Sequence, residues 1–205
     1  MRQLAVLGGM NMDLVVRAPA IPRPGETLQG AGFGRYGGGK GANQALAAAR
    51  LGARVELLGQ VGTDAFGDEL VEGLRREGVG TGGVRRLPGH PTGVAFIVVA
   101  ATGENAIVVA PGANMAWDAP ALPPAAARLF VANLEVPASV VAAAVRAARR
   151  AGARVVLNPA PYSEGGEGCF PDVDVLVPNQ IEAAGFAGAD AAGVGDWAEV
   201  GRRLL

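Results

Sequence analysis

Short apolar runs alternate with helical patterns along this chain. Gln3-Leu4-Ala5-Val6-Leu7-Gly8-Gly9 is a continuous apolar run, the pattern of a buried parallel strand. Ala42 to Leu51 reads as a strong helix, and Arg54 to Gly62 as the next strand. Asp64 can cap a helix over Ala65 to Glu77 that puts Phe66, Leu70, Val71 and Leu74 on one face. Gly82 to Arg86 reads as a further strand. From Arg128 onward the rhythm is plainly βαβ. A strand over Leu129 to Leu134 is followed by a helix from Pro137 to Ala151, then by strands over Arg154 to Leu157 and Asp174 to Val177. A helix starts near Asn179, and an amphipathic helix covers Trp197 to Leu205.

Two stretches break this rhythm. Val15 and Val16 read as a short strand, after which Pro19, Pro22, Pro24 and Gly25 interrupt regular structure, and Glu26 to Gly34 reads as a glycine-rich β-excursion. Thr92 to Ala100 and Ala106 to Ala110 are β-rich and joined by Ala101-Thr102-Gly103-Glu104-Asn105, a hairpin signal. No internal repeat, low-complexity tract or domain linker interrupts the chain.

Composition narrows the function classes. Half of the 205 residues are apolar, enough for a core in one large domain or one domain with a small appendage. A net charge of −1 and few aromatic residues argue against nucleic-acid binding. Cys169 is the only cysteine and cannot form an internal disulfide, which fits a reducing cytoplasm. His90 is the only histidine and reads as a loop residue: with Cys169 it is too little for a His/Cys metal site, and a Ser-His-Asp or Cys-His mechanism would have to use it. No apolar run reaches membrane-spanning length, and no charged-then-apolar leader is expected before the first strand.

The chemistry gathers at Gly37-Gly38-Gly39-Lys40-Gly41-Ala42-Asn43-Gln44. Lys40 is the only lysine in a chain whose other basic residues are arginines, which marks a place for a compact point charge rather than a planar guanidinium. The surrounding glycines permit close backbone approach, and the helix that follows would deliver its N–H groups and positive dipole end to an anion or to sugar oxygens. Gly32-Phe33-Gly34-Arg35-Tyr36-Gly37 fits GxGxxG but lacks the buried strand a dinucleotide site needs. Gly34 to Lys40 begins like a Walker A loop, but Gly41 stands where Ser or Thr would hold magnesium.

Asn11 and Asp13 follow the first strand, where they either bind hydroxyls or simply turn the chain. Glu135, Asn158 and Asn179 fall at three successive strand ends, the edge where parallel sheets bind ligands. Asn179 and Glu182 can share one helix face and reach a cation or its water shell. The same Asn-x-x-Glu pattern also satisfies a capping box.

Taken together, these motifs resemble the ribokinase family of PfkB-type carbohydrate kinases, from Leu4 to Glu182. The resemblance rests on Gly9-Met10-Asn11-Met12-Asp13, Pro22-Arg23-Pro24-Gly25-Glu26-Thr27, Gly38-Gly39-Lys40-Gly41-Ala42-Asn43-Gln44-Ala45 and Gly62-Thr63-Asp64-Ala65-Phe66-Gly67. It continues in Thr92-Gly93-Val94-Ala95, Gly103-Glu104-Asn105, Gly112-Ala113-Asn114, Leu157-Asn158-Pro159-Ala160-Pro161 and Pro178-Asn179-Gln180-Ile181-Glu182. It implies an α/β fold with a doubly wound, mostly parallel sheet and a small β-sheet lid built from segments near 14–36 and 92–110, through which a homodimer would form.

The resemblance also implies ribose-hydroxyl binding by Asn11, Asp13, Gly39, Lys40, Asn43 and Glu135. Asn179 and Glu182 would organise magnesium and phosphate, Glu182 acting on the metal through water. ATP would be the co-substrate and O5 of D-ribose the acceptor, with a monovalent cation such as K+ expected for the complete fold. A non-catalytic sugar-binding module, or a kinase for a nucleoside, fructose or keto-sugar acid, are the alternatives.

One departure stands out. The family's Gly-Ala-Gly-Asp motif, which carries the catalytic aspartate, does not occur in the chain. No catalytic residue is therefore expected within it, and the aspartate is expected downstream of Leu205. Residues 1–205 read as an incomplete ribokinase-like domain, inactive by itself, that aggregates or packs loosely when isolated.

Overall fold

The computed structural model describes residues 4–119 and 127–204. Among the described residues, ten strands form two sheets. The larger sheet contains β1 (Leu4–Leu7), β4 (Val55–Gly62), β5 (Gly80–Leu87), β8 (Leu129–Asn133), β9 (Arg154–Asn158) and β10 (Val175–Leu176). All of its pairings are parallel, in the order β10-β9-β8-β1-β4-β5. The helices are α1 (Lys40–Arg50), α2 (Ala65–Arg76), α3 (Ala138–Arg150), α4 (Gln180–Phe186) and α5 (Trp197–Leu204).

Alternation along β1 explains why helices cover both faces of this sheet. Leu4 and Val6 enter one apolar cluster with Leu57, Val61, Ala45 of α1, and Leu70, Val71 and Leu74 of α2. Ala5 and Leu7 enter another with Phe130, Leu157, and Val141 and Val145 of α3. β4 is buried at every position, as a central strand covered on both faces must be. The doubly wound class is thus realised.

Chain order reverses beside β1. The strands β1, β4 and β5 run outward one way, and β8, β9 and β10 the other. The crevice between the carboxyl ends of β1 and β8 is the topological switch point, where open α/β sheets hold ligands.

The second sheet has four strands in the order β3-β2-β6-β7. They are β2 (Asn11–Ala18), β3 (Gly32–Gly38), β6 (Gly93–Ala100) and β7 (Asn105–Ala110). Here the sequence reading needs correction. The strand expected at Val15 and Val16 begins four residues earlier, at Asn11, so Asn11 and Asp13 lie in a strand and do not turn the chain. The β-excursion expected over Glu26 to Gly34 starts at Gly32 and runs on through Gly37 and Gly38, inside the glycine run before α1. Glycine alternating with Phe33, Arg35 and Tyr36 masks the period-2 signal, but the antiparallel ladder to β2 supplies the pairing. The GxGxxG match therefore lies in an antiparallel strand, not in a phosphate loop. His90 is exposed in the connection between β5 and β6, as expected of a loop residue.

Candidate functional site

The glycines before α1 work differently from the sequence expectation. Gly39 has φ +89°, and a Cβ there would lie 2.6 Å from the Gly9 carbonyl oxygen. A Cβ on Gly41 would lie 2.5 Å from the Gly8 carbonyl carbon. These glycines let the first turn of α1 rest directly on the turn after β1. Several of the donors expected to await a ligand are spent on that contact. Ala42 N–H donates to Gly9 O at 3.2 Å, and Lys40 N–H donates to Glu135 Oε2 at 2.7 Å. The carboxylate at the positive end of α1 is thus the protein's own.

Glu135 reaches that position from just beyond β8, and the backbone makes room for it. A Cβ on Gly9 would lie 2.6 Å from Glu135 Oε2, and one on Gly8 would lie 2.1 Å from the Asn133 amide. Asn133 is fully buried and accepts the Glu135 N–H through its Oδ1 at 3.2 Å, which steadies the loop that carries Glu135. Asp13 comes from β2, beside Gly38 of β3, where a side chain would displace its carboxylate.

These elements enclose a cavity of about 630 Å³ at the switch point. All six residues expected to bind hydroxyls line it: Asn11, Asp13, Gly39, Lys40, Asn43 and Glu135. They come from β2, from the start of α1 and from the end of β8. Alongside Asn11 and Asp13 in the small sheet, Ala95, Ile97, Ile107 and Val109 form an apolar wall of the same cavity. Register explains the wall: Asp13 pairs with Ala95 and Val15 with Ile97 on β6, and Ile97 and Ala95 pair with Ile107 and Val109 on β7. Its size falls in the range of small-molecule sites, and its few convergent polar groups suit a polyol.

Burial acts on both carboxylates there. Burial raises the Asp13 carboxyl above its ordinary range. Burial also raises Glu135. The Lys40 N–H and the Lys40 charge work against that rise, and the nearby Asp13 charge adds to it. The arrangement offers acceptors from Asp13 and Glu135, and donors from Lys40, Asn11 and Asn43, to a ligand rich in hydroxyls.

The remaining sequence candidates lie elsewhere. Asn158 ends β9, but its side chain is used internally: Nδ2 donates to Val177 O at 2.9 Å, and Oδ1 accepts from Gln44 Nε2 at 3.3 Å. Asn179 and Glu182 are not part of the cavity. Of their two readings, the capping box is realised. Asn179 Oδ1 accepts the Glu182 N–H at 2.8 Å, Glu182 Oε2 accepts the Asn179 N–H at 2.8 Å, and Asn179 Nδ2 donates to Glu182 Oε1 at 2.9 Å. Both Glu182 oxygens are thus engaged and the residue is buried, so this pair does not fit direct magnesium ligation. No group of three His, Cys, Asp or Glu side chains among the described residues is arranged to hold a metal. No helix among them is long and apolar enough to cross a membrane.

Sequence reasoning missed the apolar wall and Asn114, which adjoins Asn11 in the cavity lining. The motif Gly112-Ala113-Asn114 was the available signal for Asn114. The wall had none, because Ile97, Ile107 and Val109 look like any strand residues.

A doubly wound sheet with a cavity at its switch point, lined by polar groups and walled by a small apolar sheet, defines the α/β architecture of this chain. The chain belongs to the pfkB family of carbohydrate kinases, which it matches over residues 1–203. It is 41% identical over 195 residues to ribokinase of Schizosaccharomyces pombe, covering 90% of this chain and 61% of that protein. The fold superimposes on ribokinase from Giardia lamblia with TM-score 0.87 at 30% identity, covering 100% of this chain and 65% of that one. On Arabidopsis thaliana ribokinase complexed with ribose and ATP, the TM-score is 0.85 at 28% identity, covering 100% of this chain and 68% of that one. The chain thus spans about three fifths of the length of the yeast relative.

Proposed function

We propose that this chain carries the sugar site of an ATP-dependent kinase that transfers the γ-phosphoryl group of ATP to O5 of D-ribose. The observation that carries the reading is the convergence of Asn11, Asp13, Gly39, Lys40, Asn43 and Glu135, from three separate stretches, on one cavity at the switch point. A solved relative named as a complex with ribose and ATP supports the choice of sugar and co-substrate.

In this reading, Asp13 and Glu135 accept hydrogen bonds from sugar hydroxyls, while Lys40, Asn11 and Asn43 donate to sugar oxygens. Ile97, Ile107 and Val109 lie against the sugar and keep water from competing with it for the phosphoryl group. Positioning of this kind is most of what phosphoryl transfer asks of a protein. Asp13 and Glu135 are assigned to hydroxyl binding, and the base that takes the O5 proton is assigned outside these 205 residues. Magnesium would supply charge neutralisation to the phosphates, and Glu182 would hold it through bound water. Residues 1–205 are read as one incomplete domain acting in the cytoplasm. The small sheet is its lid, and the outward face of that sheet, with Phe33, Phe96 and Val108 exposed, pairs two copies.

Calorimetric titration of the 205-residue chain tests this. D-Ribose should bind, and Asp13→Asn should abolish binding while the far-UV circular dichroism stays unchanged. Binding of fructose, a nucleoside or a keto-sugar acid in place of ribose would move the assignment to another acceptor. Binding of none of them by a chain that melts cooperatively would sink the sugar-site reading.

A further inference from the structure

One fully used buried amide lies at the exit from the small sheet, in the 3-10 turn Gly112–Met115 after β7. Asn114 is 1% exposed. Its Oδ1 accepts the Met10 N–H at 2.9 Å. Its Nδ2 donates to Met10 O at 3.0 Å and to Asn11 Oδ1 at 2.8 Å. Both amide hydrogens are thereby spent on the protein, so Asn114 has none to give a ligand.

The bond to Asn11 has a directional consequence. An asparagine amide has an acceptor end and a donor end, and holding the first orients the second. Asn11 is 4% exposed, lines the cavity and has its oxygen tied to Asn114. Its NH2 group is left as the end for a ligand.

The turn is itself supported. Gln60 of β4 is fully buried. With its amide nitrogen turned toward the 3-10 turn, it donates to Ala113 O at 2.9 Å and to Ala116 O at 3.3 Å. The Trp117 indole N–H donates to Asn114 O at 2.8 Å. Gly93 of β6 leaves the space in which the two amides meet. A Cβ there would lie 2.2 Å from Asn11 Oδ1 and 2.4 Å from Asn114 Nδ2.

We propose that Asn114 is a positioning residue that makes Asn11 a hydrogen-bond donor, by holding the Asn11 oxygen so that its NH2 group meets an acceptor oxygen of the sugar. The inference rests on the sugar-site reading above and adds the polarity of one of its contacts. Since Asn114 acts through Asn11, removing both should cost no more sugar affinity than removing Asn11 alone.

The test is a double-mutant cycle on the 205-residue chain, read by calorimetry with D-ribose. Asn11→Ala and Asn114→Ala are each expected to weaken binding about tenfold, the worth of one well-placed hydrogen bond. The doubly substituted chain is expected within about twofold of Asn11→Ala. Additive losses, about a hundredfold together, would overturn the proposal.

A second readout needs no sugar. The side-chain NH2 resonances of Asn11, assigned by their disappearance in Asn11→Ala, are expected to shift in Asn114→Ala, and unchanged resonances would overturn the proposal. If the parent chain binds no ribose, the sugar-site reading fails while this readout still decides whether Asn114 orients Asn11. Should Asn114→Ala not fold, Gly93→Ala forces the same two amides apart and is taken through both measurements.

Discussion

Replacing Asp64 by alanine should cost about 3–5 kcal/mol, because one carboxylate joins the start of α2 to the entry of the small sheet. Asp64 Oδ1 accepts the Gly67 N–H at 2.9 Å as the helix cap, and also the Thr92 hydroxyl at 2.6 Å. Oδ2 accepts the Thr92 N–H at 2.7 Å. Thr92 is 2% exposed, and its hydroxyl oxygen in turn accepts the Gly62 N–H at 2.9 Å. Loss of a cap costs about 1 kcal/mol. Hydrogen bonds to a charged group are worth about 1.5–3 kcal/mol each, and a buried Thr92 N–H would be left without water. The hydroxyl can rotate and Asp64 is partly solvated, so the low end of the sum applies. For a chain of this length the melting temperature should fall by about 10–15 °C.

Urea unfolding at pH 7, followed by far-UV circular dichroism, measures the loss. Asp64→Asn should fall between the two forms, since one oxygen can still cap α2. Burial works against the Asp64 charge, but hydrogen bonds from Thr92, Gly67 and Phe66 outweigh it and hold the carboxyl below its ordinary range. A depressed folded pKa means the stabilisation is fully present above the unfolded value and is lost as pH falls through the folded one. The gap between parent and Asp64→Ala should therefore hold from pH 7 down to about 4 and close only below. A loss under about 1 kcal/mol, or a gap that already closes between about pH 6 and 5, would refute the reasoning.

Three further outcomes follow from the cavity and the small sheet. Glu135→Gln keeps an acceptor for the Lys40 N–H but removes a charge that burial disfavours, so the melting temperature at pH 7 should rise while ribose affinity falls; a lower melting temperature would count against that account. With Asp13 and Glu135 both raised, their charged forms weaken the fold as pH rises through that window, and ribose affinity should decline on acidification before an ordinary carboxylate titrates. An affinity unchanged from about pH 7.5 to 4.5 would reject this. Phe96→Asp, on the outward apolar face with Phe33 and Val108, should turn a dimer into a monomer in light scattering; a monomeric parent, or a dimeric variant, would contradict the pairing.

Local pattern was enough for the elements that local physics specifies. The apolar runs over Leu4–Leu7, Val55–Gly62 and Leu129–Asn133, the Asp64 cap and the apolar stripe of α2 were all legible, because strand burial, capping and helical periodicity are written over a few neighbouring residues. The motif around Lys40, with Asn11, Asp13 and Glu135, picked out residues that the fold brings to one cavity.

What each of those groups faces depended on partners far along the chain. The Lys40 N–H meets a carboxylate 95 residues away, so part of the donor set expected to await a ligand is already satisfied. The Asn11 oxygen meets an amide 103 residues away. Gly37 and Gly38 became strand only because β2 lies alongside them. Asn179 and Glu182 satisfied two patterns in one dimension, and only the folded chain shows the capping box formed. Spacing along a chain specifies which groups can share a face. The pairing of β1 with β8, the reversal of strand order beside them and the register of the small sheet decided which groups meet across the cavity.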